Sequence, residues 1–252
     1  MIRGIYTSAS GMRAEMFRQE VTANNMANAT TPGFKRDFAL LQCYPQMELY
    51  ETRSANPNHG ALGLVSTGVV VGGEYADLSG GVLQPTGRKL DVALVEANTY
   101  IAASRGSTTV YLRTASLRVD PSGYLVTSSG ERLQDSTGSP IRVGKEAELR
   151  VDEYGNIVTD QGHSIRLRLV RFPNPAGLQK VEGGAVVETA SSGSPVQTES
   201  KVLTGYLEGS NTSPVKEMVE LIAVMRAYEA NQRAIHAQDE TLDKVVNELG
   251  RA

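Results

Sequence analysis

Near the start of the chain, Ile5, Ala9, Met12, Met16, Gln19, Ala23 and Met26 recur in alternating steps of four and three. That is the a/d spacing of a coiled-coil seam, and it predicts a helix. The pattern then runs out through Asn24-Asn25-Met26-Ala27-Asn28-Ala29-Thr30-Thr31 into Pro32-Gly33-Phe34. Asn and Thr compete for their own backbone, Pro32 forbids further helix and pushes Thr31 to an extended form, and Gly33 allows a turn of either hand. Phe34 is an anchor candidate there, and Lys35-Arg36 are expected in water. A second seam runs through Leu221, Val224, Tyr228, Asn231, Ile235, Gln238, Leu242, Val245 and Leu249. Ser213-Pro214 supplies a cap and a first helical residue, and Gly250 a stop. At 1.5 Å per residue the two helices would span about 40 and 50 Å.

Both seams hold polar residues: Gln19 in the first, Asn231 and Gln238 in the second. Such positions cost stability but select register and partner number. Apolar residues also lie off the seams, namely Phe17 and Val21, then Val219, Ile222 and Met225. A helix that is apolar on several sides must be covered on several sides. The chain's own middle could cover them; the length and heptad form of the seams favour helices of other chains.

Between the helices the period changes. From about residue 65 to 205, short runs such as Tyr124–Thr127, Glu148–Val151 and Ile165–Phe172 alternate with turn signals such as Asp120-Pro121-Ser122-Gly123 and Asp152-Glu153-Tyr154-Gly155. This predicts antiparallel sheet in a barrel or sandwich. The expected organisation is a helix over 1–34, an irregular connector over 35–75, a central β domain over 76–180, an extended arm over 181–212 and a helix over 213–252. No repeat at a solenoid or propeller period stands out. The fold class is α+β, with a coiled-coil-like inner domain made by the terminal helices.

Composition narrows the function classes. The 252 residues carry a net charge of −3, which argues against a nucleic-acid binder with a broad basic surface. Cys43 is the only cysteine, so no intramolecular disulfide and no cysteine metal cluster can form. The first residues lack the uninterrupted apolar stretch of a secretory signal, and no window approaches the roughly 20 apolar residues of a membrane span. His59, His163 and His236 fall at no zinc spacing, and Gly72-Gly73, Gly80-Gly81 and Gly183-Gly184 fit no phosphate or dinucleotide loop. Asp152 and Asp160 flank a hairpin whose sequence suits a turn. No catalytic residue, metal ligand or cofactor site is expected, and neither is an enzyme.

The assembled motifs resemble the axial rod and hook proteins of the bacterial flagellum. One end carries Ser10-Gly11-Met12 through Val21-Thr22-Ala23-Asn24-Asn25-Met26-Ala27-Asn28-Ala29-Thr30-Thr31-Pro32-Gly33-Phe34-Lys35-Arg36. The other carries Gly205-Tyr206-Leu207-Glu208-Gly209-Ser210-Asn211, then Glu217-Met218 and Arg226-Ala227-Tyr228-Glu229-Ala230-Asn231. Between them, Asp77-Leu78-Ser79-Gly80-Gly81-Val82-Leu83-Gln84 and Leu90-Asp91-Val92-Ala93 are also similar. One departure stands out: where the family has a Gly-Phe-Phe-like strand, this chain has Glu96-Ala97-Asn98-Thr99-Tyr100. Size and this weakened strand lean toward a proximal rod protein. Asn174-Pro175-Ala176-Gly177-Leu178 and the stretch Gly193–Val196 resemble a distal one instead.

The resemblance implies a structural subunit whose terminal helices pack on copies of itself and on other rod subunits, forming the inner tube with β domains outside. It implies export, without cleavage, by the flagellar type III apparatus to the basal body and its envelope-spanning rod, with basal-body rings as possible neighbours. Nucleic acid and integral membrane insertion are not implied. The implied interface residues are Ile5, Met12, Met16, Gln19, Ala23, Met26, Leu221, Val224, Tyr228, Asn231, Ile235, Leu242 and Val245. Asn24, Asn25, Asn28, Thr31, Pro32, Gly33 and Phe34, with Gly205, Leu207, Glu208, Ser210 and Asn211, form the implied junction where the helix ends and the chain turns outward. Its Asn and Thr side chains are expected to satisfy helix-end carbonyls and neighbouring backbone between subunits. A self-contained coiled-coil adhesin or accessory binding module is the alternative from another class.

Overall fold

A computed structural model describes residues 2–44, 46–49, 63–144, 149–159 and 162–249. The middle of the connector with His59, the carboxylates Glu148 and Asp160, and the stop at Gly250 lie outside the described residues. The fold is α+β: two long helices and a central antiparallel β region, in two compact units. The first unit comprises residues 1–26, 37–75 and 214–252; the second comprises 27–36 and 76–213.

In the first unit, α1 (Ile2–Ala27) and α2 (Pro214–Leu249) flank the strands β1 (Asp37–Cys43), β2 (Gln46–Leu49), β3 (Gly63–Ser66) and β4 (Val69–Ala76). The expected irregular connector is thus partly strand: β1 pairs with β4, and β2 with β3 in antiparallel register, Met47 opposite Val65. Helix α2 begins at Pro214, where Ser213-Pro214 foretold it. Helix α1 stops at Ala27, short of residue 34, because the Asn/Thr tail turns before Pro32 is reached.

The two helices run antiparallel. Gly4 lies at Gln238, Gly11 at Asn231, Arg18 on Glu220 and Asn25 at Glu217. A Cβ on Gly4 would stand 2.6 Å from Gln238 Nε2, and one on Gly11 3.1 Å from Asn231 Nδ2. The face of α1 turned to α2 is therefore a heptad of Gly4, Gly11, Arg18 and Asn25, with Ala14 and Val21 buried between. The stripe Ile5, Ala9, Met12, Met16, Gln19, Ala23 and Met26 lies about a third of a turn away and stays half-buried or exposed, Met16 at 48%. On α2 the covered stripe does match the pattern: Val224 is buried, and Leu221, Tyr228, Asn231, Ile235, Gln238 and Leu242 are half-buried, with Val245 exposed at the end. The opposite side of α2 leaves Val215, Met218, Val219, Ile222 and Met225 in the open.

The second unit contains β5 (Leu83–Pro85), β6 (Asp91–Leu94), β7 (Thr99–Arg105), β8 (Thr108–Leu112), β9 (Thr114–Val119), β10 (Leu125–Thr127), β11 (Arg132–Leu133), β12 (Leu149–Val151), β13 (Asn156–Thr159), β14 (Ser164–Arg166), β15 (Leu169–Arg171), β16 (Gln179–Lys180), β17 (Val186–Val187), β18 (Val196–Gln197), β19 (Val202–Thr204) and β20 (Tyr206–Glu208). The main sheet runs β16-β17-β8-β7-β11-β10-β9-β6-β19, and β15 pairs with both β7 and β18. The predicted arm over 181–212 is thus woven in: β17 joins β8, and β19 joins β6. Leu94, Ile101, Leu117, Leu125, Leu133, Ile157, Leu167 and Leu169 are at most 1% exposed and form one core. Tyr100, Tyr111 and Phe172 form a second, with ring centroids 5.8 and 4.8 Å apart in edge-to-face contact. The divergent segment at 96–100 is a turn over Glu96–Asn98, with Asn98 left-handed (φ 60°), and only its last two residues enter β7, where Tyr100 brings an aromatic ring inside.

A repeat invisible to periodicity sits in this unit. Leu117-Arg118-Val119-Asp120, Gly123, Val126-Thr127 and Gly130 recur 32 residues later as Leu149-Arg150-Val151-Asp152, Gly155, Val158-Thr159 and Gly162. Register repeats too: Leu117 faces Thr127 as Leu149 faces Thr159. In both turns the Asp Oδ1 accepts two backbone N–H groups, from Ser122 and Tyr124 and from Tyr154 and Asn156, each at 2.8 Å. In both, a glycine at φ 83° or 78° closes the turn, a conformation other residues resist.

Candidate functional site

The junction residues fall into two groups, one in each unit. In the first unit, Asn25 is 1% exposed and clamps one backbone position: Nδ2 donates to the Asp37 carbonyl at 2.8 Å, and Oδ1 accepts the Asp37 N–H at 2.9 Å. The same Nδ2 lies 3.4 Å from Glu217 Oε2 on α2. Asn25 thus fixes the returning chain and faces the second helix, the backbone satisfaction expected of it, but achieved within one chain. Asn24 and Ala23 point outward.

In the second unit, the segment after α1 is held by the segment before α2. The Gly33 N–H donates to the Glu208 carbonyl at 2.7 Å; Gly33 sits at φ 72°, with Thr114 Cγ2 where a Cβ would press. Asn211 reaches both ways: Oδ1 accepts the Arg36 N–H at 2.7 Å, and Nδ2 donates to the Asp77 carbonyl at 3.0 Å and to Ser79 Oγ at 3.1 Å. Upstream, Thr31 Oγ1 donates to Asn28 Oδ1 at 3.2 Å, and Pro32 stays exposed. Leu207 pairs with Gln84 across β20 and β5, the Gly205 carbonyl accepts the Thr86 N–H at 2.7 Å, and Ser210 Oγ accepts the Thr212 N–H at 3.1 Å.

At the centre stand three charges. Lys35, expected in water, is 3% exposed; Glu208 is 1% exposed and Arg113 7%. Lys35 Nζ bonds Glu208 Oε1 and donates to the Ser79 carbonyl at 2.6 Å. Glu208 Oε1 also accepts the Gly81 N–H at 2.9 Å, and Oε2 accepts Arg113 Nε at 3.0 Å. Arg113 Nη2 also pairs with Glu208 Oε2 at 3.0 Å, and the guanidinium donates to the carbonyls of Leu94, Glu96 and Thr99. Phe34 is buried beside them, with Lys180 Nζ 3.5 Å from its ring centroid. Burial pushes the Glu208 carboxyl up, but Arg113, the Lys35 hydrogen bond and the Gly81 N–H outweigh it and hold it below its ordinary range. Burial lowers Lys35, and Glu208 only partly offsets this. With every charge paired, the cluster is a tie and not a proton donor waiting for substrate. It joins residues 35, 113 and 208, which no local spacing could connect; the only sequence signal was a Lys directly after the anchor Phe34, and a Glu inside an otherwise neutral motif.

Among the described residues, no group of three or more His, Cys, Asp or Glu is placed to hold a metal ion, and no helix is long and apolar enough to cross a membrane.

Two family models match this chain: a flagella basal body rod protein model over residues 5–35, and the C-terminal model of the flagellar basal body rod FlgEFG proteins over residues 203–249. The first match ends on Lys35 and the second contains Glu208, so the central ion pair joins the two matched stretches. Along the full length, the chain is similar to the flagellar basal-body rod protein FlgG of Borreliella burgdorferi, 30% identical with all of both chains covered. It is 30% identical to the FlgG of Buchnera aphidicola subsp. Schizaphis graminum, over 97% of this chain and 99% of that one. A flagellar hook-basal body complex protein of Bacillus subtilis, FlhO, is 28% identical across all of both chains.

Proposed function

This chain belongs to the flagellar basal-body rod protein family, whose members are structural and not enzymes, and we propose that it is laid down, copy on copy and beside other rod subunits, in the proximal part of the rod. In this reading α1 and α2 line the inner wall of the tube in a coiled-coil-like layer, and the β region stands outside it. The chain passes through the type III export apparatus unfolded, and a lone Cys43 suits that route.

The observation that carries the reading is the unequal use of the helix faces. Helix α1 gives its glycine face to α2 and leaves Met16 and its neighbours open, while α2 exposes Val219 at 64% and Ile222 at 52%. Exposed apolar stripes on two long helices call for partners. An open helical array supplies them, since each patch meets a different patch on the next copy. The proximal position rests on chain length and the divergent segment at 96–100. The distal position is the second reading, favoured by Asn174–Leu178, which the Ser191 and Ser192 carbonyls fasten down through Asn174.

Deletion of the gene, followed by a swimming assay and electron microscopy of basal bodies, tests both. Rings without a completed rod, restored by the intact gene, are expected. Arrest at the base gives the proximal position, and arrest after a partial rod gives the distal one. Normal flagella in the deletion strain would overturn the rod role.

A further inference from the structure

A groove of about 550 Å³ runs along α1 on a face that neither α2 nor the Met16 stripe occupies. Arg3, Tyr6 and Arg13 line one wall; Tyr44, Met47 and Val70 line the other. Its floor is fastened to the helix. Thr7 Oγ1 donates to the Thr67 carbonyl at 2.7 Å, and Ser10 Oγ accepts the Val69 N–H at 3.2 Å, which pins the turn between β3 and β4 against the helix. Gly68 completes that turn, where a Cβ would stand 2.9 Å from Ser10 Oγ. The lining is apolar and cationic together. Tyr6, Tyr44, Met47 and Val70 are between 46% and 72% exposed, Arg3 and Arg13 are exposed without an ion pair among the described residues, and α1 carries no acid before Glu15.

The chain itself carries the complement. On α2, Asp239, Asp243 and Val246 follow each other in steps of four and three, on one stripe. All three are exposed, Val246 at 68%, and neither aspartate has an ion pair among the described residues. The chain's own α2 does not seat this stripe in the groove, because Gln238 meets α1 on the Gly4 side.

We propose that the groove is the socket for the last turns of α2 from a second copy of this chain, with Asp239 and Asp243 set between Arg3 and Arg13, and Val246 against the tyrosines. The contact joins two different patches, so each copy can offer a groove to one neighbour and a helix end to another. It rests on the rod reading, and it names which surfaces meet.

Charge exchange tests it in the full-length chain. In sedimentation of the purified protein across concentration, Arg3→Glu/Arg13→Glu is expected to weaken self-association at least tenfold, and so is Asp239→Lys/Asp243→Lys. Combining all four substitutions restores it, because the attraction is only reversed. Rising salt is expected to weaken association of the wild-type chain. A quadruple variant no better than the doubles would overturn the socket, as would doubles that associate normally, or a wild-type chain that associates only with a different subunit. Circular dichroism of each variant separates lost folding from lost contact. The deletion strain judges the rod role separately: an immotile deletion strain rescued by Arg3→Glu/Arg13→Glu leaves that role standing and removes the socket.

Discussion

The β unit and the helical unit of this molecule solve the burial problem differently. In the β unit, most large apolar side chains of the core sit at 0–2% exposure, and its three central charges are paired through Glu208. In the helical unit, Ala14, Val21 and Val224 are the apolar helix residues that the chain buries fully among those described. Met16, Val215, Met218, Val219, Ile222, Met225 and Val246 remain in the open. The β unit closes a core with its own sequence; the helical unit leaves apolar helix faces open, which neighbours would cover in the proposed rod. Apolar area left in water is stabilisation withheld until assembly, at about 25 cal/mol per Å² once covered.

Substitutions should therefore separate the two units by what they damage. Phe172→Ala removes the ring between Tyr100 and Tyr111 and is expected to cost about 3–5 kcal/mol in denaturant unfolding of the monomer. Glu208→Ala leaves Lys35 and Arg113 buried without their partner, and a loss of about 3–5 kcal/mol is expected by the same measurement. Acid acts on the same tie. The Glu208 carboxyl lies below its ordinary 4.5 in the folded chain, so its contribution is complete above that value and drains away as pH falls through the folded pKa. Glu131, held low by Thr127 and Arg105 against its burial, adds in the same direction. Thermal melts of the wild-type chain should fall below pH 4.5 more steeply than those of a folded variant lacking Glu208.

Smaller effects are expected among the helices. Gly11→Leu forces a side chain onto Asn231 and should cost about 1–3 kcal/mol, enough to loosen α2 from α1. Next to it, Met16→Asp and Ile222→Asp should change monomer stability by no more than about 0.5 kcal/mol, because both sites already face water. Both should nonetheless abolish incorporation into basal bodies, scored by microscopy and swimming. Normal incorporation of either would mean that its stripe stays exposed in the rod.

How far this was legible in the sequence varies by element. Helix α2 was, because Ser213-Pro214 marks its start and its covered stripe is apolar apart from Asn231 and Gln238. The inner face of α1 was not: Gly4 and Gly11 carry no hydrophobic signal, and they face α2 because they have no Cβ. The connector hid its strands β1–β4, whose side chains are mostly exposed and so show no clean alternation. The doubled Leu-Arg-Val-Asp hairpin has only two copies, too few to register as a period. Pro32-Gly33-Phe34 and the Asn-rich tail single out Phe34 and Asn25, and the structure buries both. Lys35 reads as a solvated charge in the sequence because its partners, Ser79 and Glu208, lie 44 and 173 positions away and only the fold brings them together.

The most direct test of this division is hydrogen exchange, comparing the dilute full-length chain with the chain assembled in purified basal bodies. Slow exchange over the strands of residues 76–213 is expected in both states. Residues 2–27 and 214–249 should exchange quickly in the dilute chain and become protected only on assembly. Equal, strong protection of both helices in the dilute chain would contradict the division and make the self-contained module the better description.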